Sequence, residues 1–250
     1  MHELTPPQSP WRPVFAEFLG SALLGAVVIG SGIAAQQLSP HGVGLELLEN
    51  ALATAAGLYT LILMFAPVSG AHFNPVISAV DAFFGGIHWR RAALYLPAQL
   101  LGCTSGAVLA NLMFARSAVS VSAHQRASLA HLLSETVATA GLVLIIFALA
   151  RSDRTASAPA AVGAYIGAAY FFTSSTSFAN PAITVGRMFS NSFAGIAPSS
   201  VPGFVLAQVL GGVLAVGVLT KLYPGVTPDQ AADITIATTV HPDPERREPS

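Results

Sequence analysis

Six stretches of the chain, Val14–Ala35, Ala51–Pro67, Tyr95–Phe114, Leu129–Ala150, Pro159–Ser175 and Val201–Tyr223, hold only Glu17, Glu135 and Lys221 as charged residues between them. A helix needs about 20 apolar residues to cross roughly 30 Å of hydrocarbon. Six membrane spans follow, with 159–175 the shortest. Charged residues are 9% of the chain and mean hydropathy is +0.62, whereas soluble domains carry about 25% charged residues. The formal net charge of −1 supplies no basic surface for a nucleic-acid partner.

The remaining charges set the expected orientation. Residues 1–13 are polar and Pro-rich, without the basic start, short apolar core and small-residue site of a cleaved leader. With the N-terminus inside, Arg12, Arg90, Arg91, Arg151, Arg154, Lys221, Arg246 and Arg247 share the inner side, against Arg116 and Arg126 on the outer connection. Positive charge favours the cytoplasm, so both termini are expected there, in a multi-pass protein of a cell inner membrane or plasma membrane. Residues 1–12 read as a cytoplasmic segment and 224–250 as a disordered polar tail. Cys103 is the single cysteine, suited to a small core position and given no further role.

The chain repeats itself. Glu17 opens the first span and Glu135 the fourth; Asn74-Pro75 follows the second and Asn180-Pro181 the fifth; Gln99 lies in the third and Gln208 in the sixth. The offsets are 118, 106 and 109 residues, as for one ancestral unit with altered loops. The units run over 13–114 and 127–223 within a single domain, 13–223. Three spans is an odd number, so the second unit inserts upside down relative to the first. Inverted repeats of this kind place their sites near the midplane, where discontinuous helices meet. Asn74–Phe84 and Asn180–Asn191 suit that role, each reaching roughly 17 Å at 1.5 Å per residue.

Asn and Pro in sequence define a helix start. Pro loses nothing in the first turn, where its absent N–H would be unpaired, and Asn caps the free backbone donors. The segments Asn74, Pro75, Val76 and Asn180, Pro181, Ala182 are therefore expected at a pore midplane. There the Asn NH₂ groups would face the lumen as donors, and the positive helix ends would repel cations.

These blocks, Ser69-Gly-Ala-His-Phe-Asn-Pro-Val76 and Ser175-Thr-Ser-Phe-Ala-Asn-Pro-Ala182, resemble those of the aquaporin (major intrinsic protein) family over roughly residues 13–223. The resemblance implies an all-α membrane fold of six transmembrane helices and two re-entrant half-helices, assembled as a homotetramer with one pore per subunit. It makes Glu17 and Glu135 braces of the re-entrant loops and His72 a pore-lining residue. It maps a selectivity filter onto Thr54, Ala168 (or its neighbour Gly167), Ser177 and Ile183, with Phe178 able to slide into the Ser177 slot. Most members carry Arg where this chain has Ile183. The set makes a wide, weakly polar constriction without a fixed cation, similar to a bacterial branch associated with arsenic detoxification.

Two further charges lie seven residues after the asparagines, Asp81 and Arg187. Two helical turns place them near the Asn face, with Asp81 expected at the inner vestibule and Arg187 at the outer. Arg187, one turn beyond Ile183, is placed to lean back and stand in for the missing filter arginine. The competing reading is a charge that snorkels or pairs structurally.

The function expected is a passive channel for small uncharged solutes: arsenous acid, methylated arsenicals, glycerol-like polyols and water. A water-selective pore, an ion-coupled transporter and a closed structural protein are the alternatives. No cofactor, metal cluster or catalytic set is expected, the Ser/Thr run 173–177 having no base or acid beside it.

Overall fold

A computed structural model describes residues 11–224; the expectations for the segments 1–10 and 225–250 lie outside the described residues. The chain there is helical: α1 (Trp11–Leu38), α2 (Val43–Ser69), α3 (Pro75–Phe84), α4 (Trp89–Met113), α5 (Leu129–Arg151), α6 (Ala158–Phe172), α7 (Pro181–Gly186) and α8 (Val201–Leu222). Proline stands in the first turn of α3, α6, α7 and α8, where its missing donor costs nothing. A left-handed glycine closes α2 at Gly70 and α3 at Gly85, at φ 86° and 88°.

Five of the helices, with a short 3₁₀ turn leading into α8, are long and apolar enough to cross a membrane. The sixth, α6, has 15 residues, or roughly 22 Å. The 3₁₀ turn Thr155–Ser157 runs into its start and adds roughly 6 Å, so the stretch comes close to a full span. The second half-helix is shorter than the sequence suggested. α7 has six residues and tightens into a 3₁₀ turn over Arg187–Phe189, because Ser190, Asn191 and Ser192 follow and such side chains favour turns.

Lipid tails do not drive apolar helices together, so close packing in a membrane depends on small residues. α4 lies on α1 at Gly102 and Gly106, where an added Cβ would collide with the carbonyls of Phe18 and Ala22. In the second unit Gly211 of α8 does the same against α5, its Cβ position 2.5 Å from the Thr136 carbonyl. Cys103 is fully buried, its carbonyl lying 2.8 Å from the Cβ positions of both Gly25 and Gly186. These contacts pull four long helices around α3 and α7, and leave a cavity between the two halves.

Candidate functional site

The loops entering α3 and α7 hold non-glycine residues in the left-handed region: Ala71, Phe73, Thr176, Ser177 and Ala179, at φ between 48° and 64°. Ala71 matches Ser177 and Phe73 matches Ala179 at the 106-residue offset. Each costs on the order of 1–3 kcal/mol, tolerated only where the surroundings over-determine it. A buried carboxylate does this in each half. Glu17 accepts hydrogen bonds from the backbone N–H groups of His72 (2.9 Å) and Phe73 (2.7 Å), from Ser69 Oγ (2.7 Å) and from Gln99 Nε2 (2.8 Å). Glu135 accepts from the N–H groups of Phe178 and Ala179 (2.9 Å each) and from Gln208 Nε2 (2.6 Å). Gln99 also donates to Ser78 Oγ and Gln208 to Thr184 Oγ1, so each network reaches into its half-helix.

The N-terminal ends of α3 and α7 meet. Asn74 Oδ1 accepts from the Val76 N–H at 3.0 Å, and Asn180 Oδ1 from the Ala182 and Ile183 N–H groups at 2.9 and 3.3 Å. Their amides cross over: Asn74 Nδ2 donates to the Ala179 carbonyl (2.8 Å) and Asn180 Nδ2 to the Phe73 carbonyl (2.7 Å). One N–H of each amide is therefore committed to the opposite loop, and only the other is left for the lumen. This qualifies the expectation of two free donor groups. Val76 and Ala182 are buried in packing contacts rather than set on the cavity wall. Val76 leans on Gly212, whose Cβ position is 2.6 Å from Val76 Cγ1, so the missing side chain on α8 makes room for the larger residue. Pro75 and Pro181 start their helices without reaching the wall.

A cavity of about 380 Å³ runs from Ala150, Thr155 and Pro159 at the α5–α6 turn, past His72, Asn74 and Asn180, to Thr54, Tyr170, Ser177, Phe178, Ile183 and Arg187. Its wall is mainly apolar, with no aspartate or glutamate among the described residues. Thr54, Ser177 and Ile183 lie on it, and the Ser177 hydroxyl has no protein partner. Ala168 does not. It is exposed on the opposite side of α6, off the stripe Val162, Gly163, Ile166, Ala169 and Tyr170 that α6 buries. The residue that faces the cavity in its place is Tyr170, which the sequence reading missed; its hydroxyl lies 3.1 Å from Thr54 Oγ1.

A wall without a fixed cation is also not what forms. Arg187 is 1% exposed and lines the cavity. Its guanidinium carbon sits 3.4 Å from the centroid of the Phe178 ring, and its Nε donates to the Ala194 carbonyl. Phe178 is held edge-on to Phe204 at 5.1 Å. Arg126, from the 114–128 connection, approaches the same ring at 5.4 Å and donates to the Gly195 and Phe193 carbonyls. Burial and Arg126 together lower the pKa of His124 in that connection, favouring its neutral form.

Asp81 is not a vestibule group. It is fully buried and off the cavity wall, its carboxylate turned to His72 Nε2 at 3.4 Å. His72 Nδ1 pairs with Ser78 Oγ at 3.1 Å, and Tyr95 abuts the imidazole edge-on at 5.6 Å. His72 itself lines the cavity, its ring fixed from three sides.

Two re-entrant half-helices joined through their asparagines inside an inverted repeat agree with what comparison with known proteins finds. The family model for major intrinsic proteins matches residues 3–179, and an aquaglyceroporin of Rhizobium meliloti (strain 1021), AqpS, is 46% identical over 217 residues, 87% of this chain and 92% of the relative. The chain belongs to the major intrinsic protein family. Aquaporin TIP1-1 of Arabidopsis thaliana is 32% identical over 188 residues, 70% of this chain and 74% of that protein. The X-ray structure of the aquaglyceroporin from Plasmodium falciparum superposes with a TM-score of 0.65, covering 86% of this chain and 97% of that one at 20% identity, a likeness of fold. The fold is thus that of a multi-pass membrane protein with six spans and two half-helices, and the family is one of channels, not enzymes.

Proposed function

We propose that this chain is a passive channel for small uncharged solutes that carry hydroxyl groups: glycerol-like polyols, arsenous acid and methylated arsenicals, with water as a further permeant. One observation carries this reading. The cavity is apolar along most of its length, has polar stations at His72, Asn74, Asn180, Ser177, Thr54 and Tyr170, and bears Arg187 but no carboxylate. An apolar wall leaves a hydrated ion without replacements for its shell, and a guanidinium with two helix N-termini repels cations. A neutral polyol meets an acceptor or donor at each station and slides along the rest. Its similarity to an aquaglyceroporin over most of both chains supports the same substrate class.

The charge distribution also argues against ion coupling. Glu17 and Glu135 are consumed by loop N–H groups, Asp81 faces His72, and none of the three lies on the cavity wall. The filter is assigned to Thr54, Ser177, Ile183 and Arg187, the last supplying from one turn further on the cation that Ile183 does not. A water-selective pore is the second reading, favoured by the bulk of Tyr170 and Arg187 at one end. The basic inner loops support cytoplasmic termini, and the family resemblance a homotetramer.

Stopped-flow light scattering on proteoliposomes, at neutral pH and without ion gradients, separates these readings. Glycerol and arsenous acid are expected to enter several times faster than into empty liposomes. Water flux alone would establish the water-selective pore, and dependence on a proton or sodium gradient would establish a transporter.

A further inference from the structure

We infer that Arg126, which is not on the cavity wall, is a positioning residue for solute selection that holds in place the ring and backbone on which Arg187 is seated. The inference rests on the channel reading above, with Arg187 in its filter, and adds a residue from outside both repeat units.

The argument begins with what keeps Arg187 where it is. It stands where α7 tightens into the 3₁₀ turn Arg187–Phe189. A side chain of this length loses much rotamer freedom when it is fixed in one place, so it needs firm partners. It has the Phe178 ring, 3.4 Å from its guanidinium carbon, and the Ala194 carbonyl, which accepts from its Nε. Neither belongs to a helix. Phe178 lies between Ser177 and Ala179, both left-handed, and Ala194 in the irregular stretch 190–197.

Arg126 secures both partners. Its Nε donates to the Gly195 carbonyl at 2.9 Å and its Nη2 to the Phe193 carbonyl at 3.0 Å. The carbonyls of 193, 194 and 195 therefore go in turn to Arg126, Arg187 and Arg126. A planar guanidinium fork can hold two carbonyls at a set spacing, which the point charge of a lysine cannot. The same guanidinium stands 5.4 Å from the Phe178 centroid, so one ring carries both cations.

Arg126 is itself tied down. Its backbone N–H donates to Ser200 Oγ at 2.9 Å, just before α8. Around it the connection is laced to the stretch that follows α7. The N–H groups of Ser120 and Ser122 donate to the Phe189 and Met188 carbonyls at 3.0 and 2.9 Å, and that of Ala197 to the His124 carbonyl at 2.7 Å. A Cβ on Gly195 would strike the Ser122 hydroxyl and the Ser190 carbonyl, so the two segments touch directly. Like charges on one ring repel. With Arg126 bound at backbone and side chain, that repulsion bears on Arg187, on the cavity side.

The test is a double-mutant cycle on the full chain in proteoliposomes, reading the glycerol-to-water permeability ratio. Arg126→Leu is expected to move the ratio about threefold towards that of Arg187→Leu, within the range that residues without ligand contact exert on a site. In the Arg187→Leu background the same change is expected to move it less than about 1.5-fold, the non-additivity of residues acting as one unit. Arg126→Lys is expected to behave as Leu, and Arg116→Gln, which frees only the Asn191 carbonyl of the same connection, to leave the ratio unchanged. Should Arg126→Leu not assemble by size-exclusion chromatography, Arg126→Gln reads the same cycle. A ratio that stays put or moves the other way overturns the inference, as does an equal shift with and without Arg187, full retention by Lys, or an equal shift in Arg116→Gln. A crystal structure of the Arg126 variant gives a readout independent of flux. Arg187 is expected to leave the Phe178 face, and a guanidinium still seated there overturns the inference. Absence of solute flux in the unmodified chain would instead strike at the channel reading.

Discussion

Replacing Glu135 by Gln exchanges one carboxylate oxygen for an NH₂ group and should cost a substantial part of the protein's stability. The carboxylate accepts from Phe178 N–H through one oxygen, and from Ala179 N–H and Gln208 Nε2 through the other. An amide offers only one acceptor oxygen. If that oxygen faces Ala179 and Gln208, the new NH₂ group meets the Phe178 N–H, donor against donor. The opposite orientation strands two donors. The better orientation leaves a buried N–H unpaired, about 1–3 kcal/mol, and removes the charge from two surviving bonds, about 1 kcal/mol each. A total of about 3–5 kcal/mol is large against a stability of about 5–15 kcal/mol. At about 2–4 °C per kcal/mol for a chain of this size, the apparent melting midpoint in detergent should fall by roughly 10 °C. Differential scanning fluorimetry of purified protein measures it, with glycerol flux per assembled protein measured below the new midpoint. A fall of less than about 2 °C with unchanged flux would refute the reasoning, because the left-handed backbone at Thr176, Ser177 and Ala179 would then hold without the carboxylate.

The other predictions concern the wall and the helix contacts. Arg187→Leu should raise glycerol permeability several-fold, and Ile183→Arg should lower it about tenfold by adding a second guanidinium at the same level; stopped-flow scattering reads both, and equal fluxes in all three proteins would remove Arg187 from the filter. Asp81→Asn should alter solute flux less than twofold, because the carboxylate stands behind His72 rather than on the wall; a larger change would restore a direct role. Gly106→Ala drives a methyl group into the Ala22 carbonyl, overpacking that costs about 1–3 kcal/mol or more, and should reduce recovery of monodisperse protein from membranes where Gly217→Ala, with open space around it, does not.

Much of the architecture was legible because membranes leave few options for backbone. Long charge-poor runs are read as helices for want of water, and the odd number of spans per unit dictates inversion. The Asn-Pro pairs mark helix starts by chemistry local to two residues. What was not legible depends on rotation about a helix axis. Ala168, or its neighbour Gly167, was assigned by family resemblance, whereas the loop between α6 and α7 sets which face of α6 points inward, and one residue of slack turns it by about 100°. The buried stripe through Gly163, Ile166 and Tyr170, at the 3.6-residue period, carried the signal that Tyr170 faces in. Arg187 and Asp81 share a repeat position but not a fate. Arg187 has a ring and a free carbonyl beside the cavity, while Asp81 has an imidazole beside it, and neither partner is visible from spacing along one helix.

The exchange of amide hydrogen bonds between Asn74 and Asn180 has a consequence for synthesis. Asn74 leaves the ribosome 106 residues before the residue whose loop it must engage. At about 5–20 residues per second, that interval is roughly 5–20 s. For that time the first half-helix enters a loop whose Phe73 carbonyl awaits a donor from a segment not yet made. The permeation path seen in the folded chain is completed only when the second half-helix folds back and both ends of the latch exist.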